Sequence, residues 1–157
     1  AMHLEKSGID LAAIYRPLNN IFLNPVMEMI RKKYICKNQI KKGIAGTKDL
    51  LKFFKKGTSI ALMIDQRESE GIKCDFFNKQ AFTTTIPAQF AQKYNAKIVP
   101  IYIERLQNNN FKIKIYKSLR FSKKDTIENI TLKLNKILED MVIKNPEQWI
   151  WTHGRWK

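Results

Sequence analysis

Apolar and polar positions alternate along the chain in short blocks, and the spacing within a block shifts between period two and a period of three to four. GIDLAAIY (residues 8–15) reads as a strand. NPVMEMIRKKY (24–34) has helical spacing, with Asn24 placed to cap and Pro25 at the first helical position. TKDLLKFFKKG (47–57) predicts a short helix stopped by Gly57, and TSIALMI (58–64) an apolar strand ending at Asp65. A polar, irregular loop follows. IPAQFAQKYNA (86–96) then predicts a helix, and KIVPIYIE (97–104) and FKIKIYK (111–117) predict two strands joined by RLQNNN. Phe111, Ile113 and Ile115 recur with period two, so the last strand is expected to keep one wet face and to lie near an edge.

The longest helical pattern covers residues 123–145, with Ile127, Ile130, Leu134, Ile137, Leu138 and Met141 on one stripe. Ser122 and Asp125 have the spacing of a capping box at its start. Strands alternating with helices predict an α/β fold: a mainly parallel sheet covered by helices. With 157 residues, 44% of them hydrophobic, the chain is long enough for one compact domain and short for two, so a single domain over 1–157 is expected.

Composition narrows the classes. Glycine and proline number only 6 and 5 and no repeat is visible, which excludes disordered and solenoid architectures. The apolar run at residues 60–64 is far short of the roughly 20 residues that cross a bilayer, so neither a membrane span nor a signal peptide is expected. Cys36 and Cys74 lie far apart without a CxxC pattern or a nearby histidine, the usage of free cytosolic thiols; neither a metal site nor a cofactor is indicated.

Charge changes the picture more. Lys and Arg number 29 against 14 Asp and Glu, a net +15, and residues 31–56 hold ten basic side chains against Asp49 alone. Such a field attracts anionic lipid, nucleic acid or an acidic protein, and a lysine-rich composition can also produce it with no partner. Nucleic acid is disfavoured, because Tyr34, Phe53 and Phe54 fall at apolar helix positions instead of forming exposed stacking platforms.

In α/β sheets chemistry gathers beyond the carboxyl ends of strands. YRPLNN (15–20) and DQRESEG (65–71) occupy such positions. Arg16 suits a phosphate or carboxylate, or equally a structural ion pair. Asp65, after five apolar residues, must find partners, and Gln66 and Arg67 stand nearest. Thr83, Thr84 and Thr85 precede a predicted helix, where they can cap it or face an anion. His3 and His153 are the two histidines; neither has an acid spaced to orient it, and no phosphate loop or nucleophile elbow is present. These residues describe a binding surface without an evident catalytic engine. The ending PEQWIWTHGRWK (146–157) gathers all three tryptophans, an apolar load that must dock. It does so either as a buttress folded onto the sheet or as an aromatic anchor at a membrane interface.

MIDQRESEGIKCDFFNKQAFTTTIPAQFAQKYNAKIVPIYIER (63–105), YRPLNN before it and PEQW…W…H…RW after it resemble, in order and spacing, the lauroyl and myristoyl transferases of lipid A biosynthesis in Gram-negative bacteria. Their superfamily is that of the glycerolipid acyltransferases. The resemblance covers the chain from about residue 8 onward; Arg31, Phe76, Phe77, Ala81, Pro87, Ala88 and Pro100 fall within it.

It implies transfer of a fatty acyl chain from an acyl carrier protein thioester to a hydroxyl of a lipid A precursor, at the cytoplasmic face of the inner membrane and without a cofactor. It further implies substrate-binding roles for Arg16, Arg31, Asp65, Gln66, Thr83 and Arg155, and an acyl channel along Phe76 and Phe77. The engine of that superfamily is a histidine followed five positions on by an acid. Here position 8, five beyond His3, is glycine. The motif is therefore expected upstream of Ala1, in a missing amino-terminal segment or a separately encoded half, and the isolated chain is expected to be inactive. The reading from another class, a nonenzymatic basic module that binds anionic membrane or nucleic acid, stays open.

Overall fold

The computed structural model describes residues 1–157 apart from the side chains of residues 44 and 45. Its contacts divide the chain into two compact units, Ala1–Met63 and Ile64–Lys157.

The first unit opens with a short helix, α1 (Met2–Lys6), and is built on a parallel sheet. Strand β1 (Leu11–Tyr15) lies between β2 (Asn38–Lys41) and β3 (Ser59–Ala61). Parallel neighbours need long crossovers, which α2 (Leu23–Tyr34) and α3 (Ile44–Lys55) supply. Leu11, Ala12, Cys36, Ile40 and Leu50 are buried. Asp10 ties the amino ends of all three strands together. Its carboxylate accepts from the Thr58 hydroxyl at 2.7 Å and the Asn38 amide at 3.2 Å, and its carbonyl accepts from Ser59 N–H at 2.9 Å.

Two sequence expectations change here. Helix α2 starts at Leu23 rather than after Asn24, because the Asn20 side chain accepts from the backbone N–H of Phe22 and Leu23, at 2.9 and 3.1 Å. Asn24 is thereby inside the helix. The apolar run at 58–64 is strand only through Ala61, where pairing with β1 ends. Its last residue, Ile64, packs in the core of the second unit, so the run is apolar because it feeds two cores.

The second unit contains two antiparallel pairs, β4 (Ile72–Phe76) with β5 (Lys79–Thr83), and β6 (Ile101–Arg105) with β7 (Phe111–Ile115). Helix α4 (Ile86–Tyr94) packs on α5 (Ile127–Lys144), with Ala88, Ala91, Ile130 and Leu134 as the shared core. The α/β expectation holds, with the parallel sheet confined to the first unit. Connections of two and five residues in the second unit are too short for a parallel crossover, so its strands pair antiparallel. The polar loop expected after Asp65 holds the β4–β5 hairpin. Strand β7 is exposed on both faces, including Phe111 and Ile115. The cap of α5 is Thr126, whose hydroxyl accepts from Asn129 N–H at 3.2 Å; Ser122 and Asp125 close a separate turn just before it.

Candidate functional site

In the first unit the polar residues collect at the carboxyl end of β1. The Tyr15 hydroxyl donates to Glu28 Oε1 at 2.7 Å, and Asn24 Nδ2 donates to the same oxygen at 2.8 Å. Asn24 Oδ1 in turn accepts from Leu18 N–H at 2.9 Å, fixing the 16–20 loop against α2. The Arg31 guanidinium stacks 4.9 Å over the Tyr15 ring. Burial, reinforced by the bond to Glu28, pushes the Tyr15 phenol up to about 12. The bonds from Tyr15 and Asn24 hold the Glu28 carboxyl below the usual range. Arg31 Nη1 is buried and without a hydrogen-bond partner. Arg16, next along from Tyr15, is exposed and makes no ion pair with a carboxylate among the described residues. This end of the strand therefore presents one solvent-facing cation, and a second cation whose ring partner is fixed while one nitrogen stays unused.

In the second unit the site is built around Arg155, which is 1% exposed although it is the third residue from the end of the sequence. Its guanidinium donates to the Phe82 carbonyl and, at 2.9 Å, to the Thr83 hydroxyl, and it sits 5.2 Å from the centre of the Phe76 ring. Burial holds the guanidinium below its ordinary value, against the opposing charge of Asp65. Thr83 Oγ1 also accepts from Asn135 Nδ2 at 3.2 Å and donates to the Ala81 carbonyl at 3.2 Å. Its hydrogen-bonding capacity is filled. Three buried atoms remain unmatched around this site, Asp65 Oδ1, Arg155 Nε and Asn135 Oδ1. Gln66 is exposed beside Asp65 in sequence.

Gly71 lets this arrangement close. A side-chain carbon there would collide with the Thr83 carbonyl, so a larger residue would push the segment after Asp65 off β5.

The terminal segment docks as a buttress on the β4–β5 hairpin. Trp156 Nε1 donates to the Phe76 carbonyl at 2.9 Å, and the Trp156 ring stacks on Phe76 with centroids 5.6 Å apart. Trp149 meets both rings edge-on. His153 Nε2 accepts from Arg67 N–H at 3.0 Å, so the histidine is a tether between the tail and the segment after Asp65. That bond requires a neutral imidazole with its proton on Nδ1.

Of the residues singled out by sequence, Thr83 and Arg155 touch, Asp65 acts on Arg155 through its charge, and Arg31 reaches the Tyr15 end of β1 beside Arg16. Sequence reasoning missed Asn135 and Glu139. Asn135 is fully buried and donates to the Asp75 carbonyl at 2.9 Å as well as to Thr83. Glu139 accepts from Phe77 N–H at 2.7 Å and from Lys136, which also bridges to Asp75. The Glu139 bond clamps the hairpin turn, where Phe77 and Asn78 take φ of 52° and 58°. For a phenylalanine that conformation is strained by about 1–3 kcal/mol. A signal was available: Thr131, Asn135 and Glu139 recur at i, i+4 and i+8, a polar row running beside the apolar stripe of the same helix.

Among the described residues no cluster of histidine, cysteine and acids could hold a metal, and no helix is long and apolar enough to cross a membrane. Cys36 and Cys74 are buried and free, and burial pushes both thiols up.

Compared with known protein families, residues 1–157 match the profile of the bacterial lipid A biosynthesis acyltransferases. No curated protein matches the chain.

Proposed function

We propose that this chain, which belongs to the bacterial lipid A biosynthesis acyltransferase family, receives a fatty acyl group on acyl carrier protein and a lipid A precursor as the acceptor of that group. The observation that carries the reading is the family match along the whole of residues 1–157. The geometry supports it at two points. Arg16 and the unused Arg31 nitrogen offer cations at the end of β1 for the anionic head group or the phosphopantetheine phosphate. Asp65 Oδ1 offers an unmatched acceptor to a hydroxyl of the lipid. Thr83, whose hydroxyl is fully bonded, and Arg155, which donates to it and to the Phe82 carbonyl, serve that site by holding the segment after Asp65 and the tail against β5.

In this reading the protein works at the cytoplasmic face of the inner membrane as a peripheral protein, and the acidic carrier protein meets its basic surface. Removal of the acceptor proton belongs to a histidine paired with an acid five residues on, and neither His3 nor His153 has that pairing.

The test is binding at matched salt to acylated carrier protein, to vesicles containing the glucosamine disaccharide precursor, and to single-stranded nucleic acid. Carrier protein and precursor are expected to bind, with Arg16→Ala weakening precursor binding by about tenfold, the loss of one charge-assisted contact. In the same mixture the 157-residue chain alone is expected to give acyl transfer at background. Tightest binding to nucleic acid would refute the reading, and turnover by the chain alone would refute the assignment of the base.

A further inference from the structure

Helix α2 is the anomaly of the first unit, because none of its twelve residues is buried although it is rich in large apolar side chains. Ile21 and Phe22 just before it are 75% and 83% exposed, and within it Leu23, Val26, Met29 and Ile30 are exposed as well, Met29 at 63%. At 100° per residue, positions 22, 23, 26, 29 and 30 fall within an arc of about 120°. Asn24, Glu28 and Arg31 lie on the opposite side, where they engage Leu18 and Tyr15. The apolar face is thus the outward face of a helix already anchored by its polar one.

Charge identifies what this face fits. Glu28 is the helix's one acidic residue, and it is turned inward and bonded to Tyr15 and Asn24. Lys33 follows the apolar arc at its carboxyl-terminal end and Lys32 flanks it. Beyond them residues 37–56 add seven more lysines against Asp49. An apolar strip bordered by lysines whose stems can reach upward suits the boundary between acyl chains and anionic head groups. Nucleic acid offers the lysines a partner but gives the strip no apolar phase.

We propose that the Phe22–Val26–Met29–Ile30 face of α2 is a membrane-docking surface that lies in the plane of an anionic bilayer. The inference rests on the proposed function only in that a lipid acceptor makes a bilayer the natural occupant; its test involves neither acyl transfer nor precursor, so either can fail alone.

The full chain is floated with vesicles of phosphatidylglycerol and phosphatidylethanolamine, and separately with vesicles of phosphatidylcholine. Wild type is expected to bind the anionic vesicles and to keep part of that binding at about 1 M salt, where the Debye length is only about 3 Å. Phe22→Ser with Met29→Ser, on exposed positions and with circular dichroism unchanged, is expected to weaken partition by about tenfold or more. Lys32→Glu with Lys33→Glu is expected to weaken it at low salt only. Absence of wild-type binding, or binding that the serine pair leaves unchanged, would overturn the proposal. So would a vesicle-free dimer that the serine pair dissolves, since the face would then be covered by a second copy.

Discussion

At the scale of single residues, two side chains concentrate the energetics. Arg155 reconciles a charge with near-complete burial by giving two hydrogen bonds to β5 and stacking on Phe76, while its own desolvation is only partly offset by Asp65. Arg155→Ala removes a donor from the Phe82 carbonyl, which keeps the Glu68 N–H at 3.1 Å, and leaves Thr83 Oγ1 one donor short beneath the tail. It is expected to cost about 3 kcal/mol in urea denaturation. Arg155→Lys should recover little, because one ammonium cannot reproduce the planar fork; full recovery by lysine would show that charge alone matters there. Tyr15 reports on the other cluster. Its folded value of about 12 lies above the ordinary phenol. The protonated form is therefore the one the fold favours, and the stability from the Tyr15–Glu28 bond is whole below about pH 10. It is lost as pH rises through about 12. A spectrophotometric titration of wild type minus Tyr15→Phe should show a midpoint at about 12, and a midpoint at the ordinary value would mean that neither the burial of the phenol nor its bond to Glu28 persists in solution.

At the scale of elements, local pattern and tertiary requirement agree in most places and part where a side chain elsewhere supplies the decisive bond. The order of strands and helices was readable because burial on one face imposes its period on the sequence. The start of α2 was not, since Asn20 and Asn24 are both good caps, and only Asn24's ties to Leu18 and Glu28 show that it is occupied. The β4–β5 hairpin was hidden for a related reason. Its turn lacks the Asn-Gly or Asp-Gly signature, and Phe77 holds its left-handed conformation through Glu139, sixty-two positions away. In the parallel sheet a single residue performs the joining that hairpin turns perform elsewhere: Asp10 binds β2 and β3 to β1 from outside the strands. Asp10→Ala is expected to destabilise the fold by about 1–2 kcal/mol, with Thr58 left unpaired in a buried setting. Hydrogen exchange should show β3 amides losing protection before those of the second unit; equal protection in wild type and variant would remove Asp10 from this role.

At the scale of the whole molecule, the excess of positive charge and the family match bear on the same question from different sides. A net +15 makes encounter with any polyanion fast and salt-dependent, and therefore says little about which one is meant. The match across residues 1–157 supplies the class of chemistry, and in the docking proposal the exposed apolar face of α2 gives the charge a direction, toward a surface that is both apolar and anionic. For this reason the binding comparison at matched salt tests the molecule as a whole, where the Arg155 and Asp10 variants test how its parts are held.

Sequence alone established the alternation of strands and helices, the basic field, the docking of the tryptophan-rich ending and the residues that resemble lipid A acyltransferases. These depend on composition and on neighbours within a few positions, which one chain states outright. Only the tertiary structure showed that the docking partner is the β4–β5 hairpin, that Asn135 and Glu139 hold that hairpin, that Arg155 is bonded to Thr83, and that α2 keeps its apolar side outside. The physical reason is the same in each case. Whether a polar group is satisfied or an apolar one covered depends on atoms brought up from other elements, sixty or more positions away for the hairpin and the tail, and periodicity along the chain carries no record of that placement.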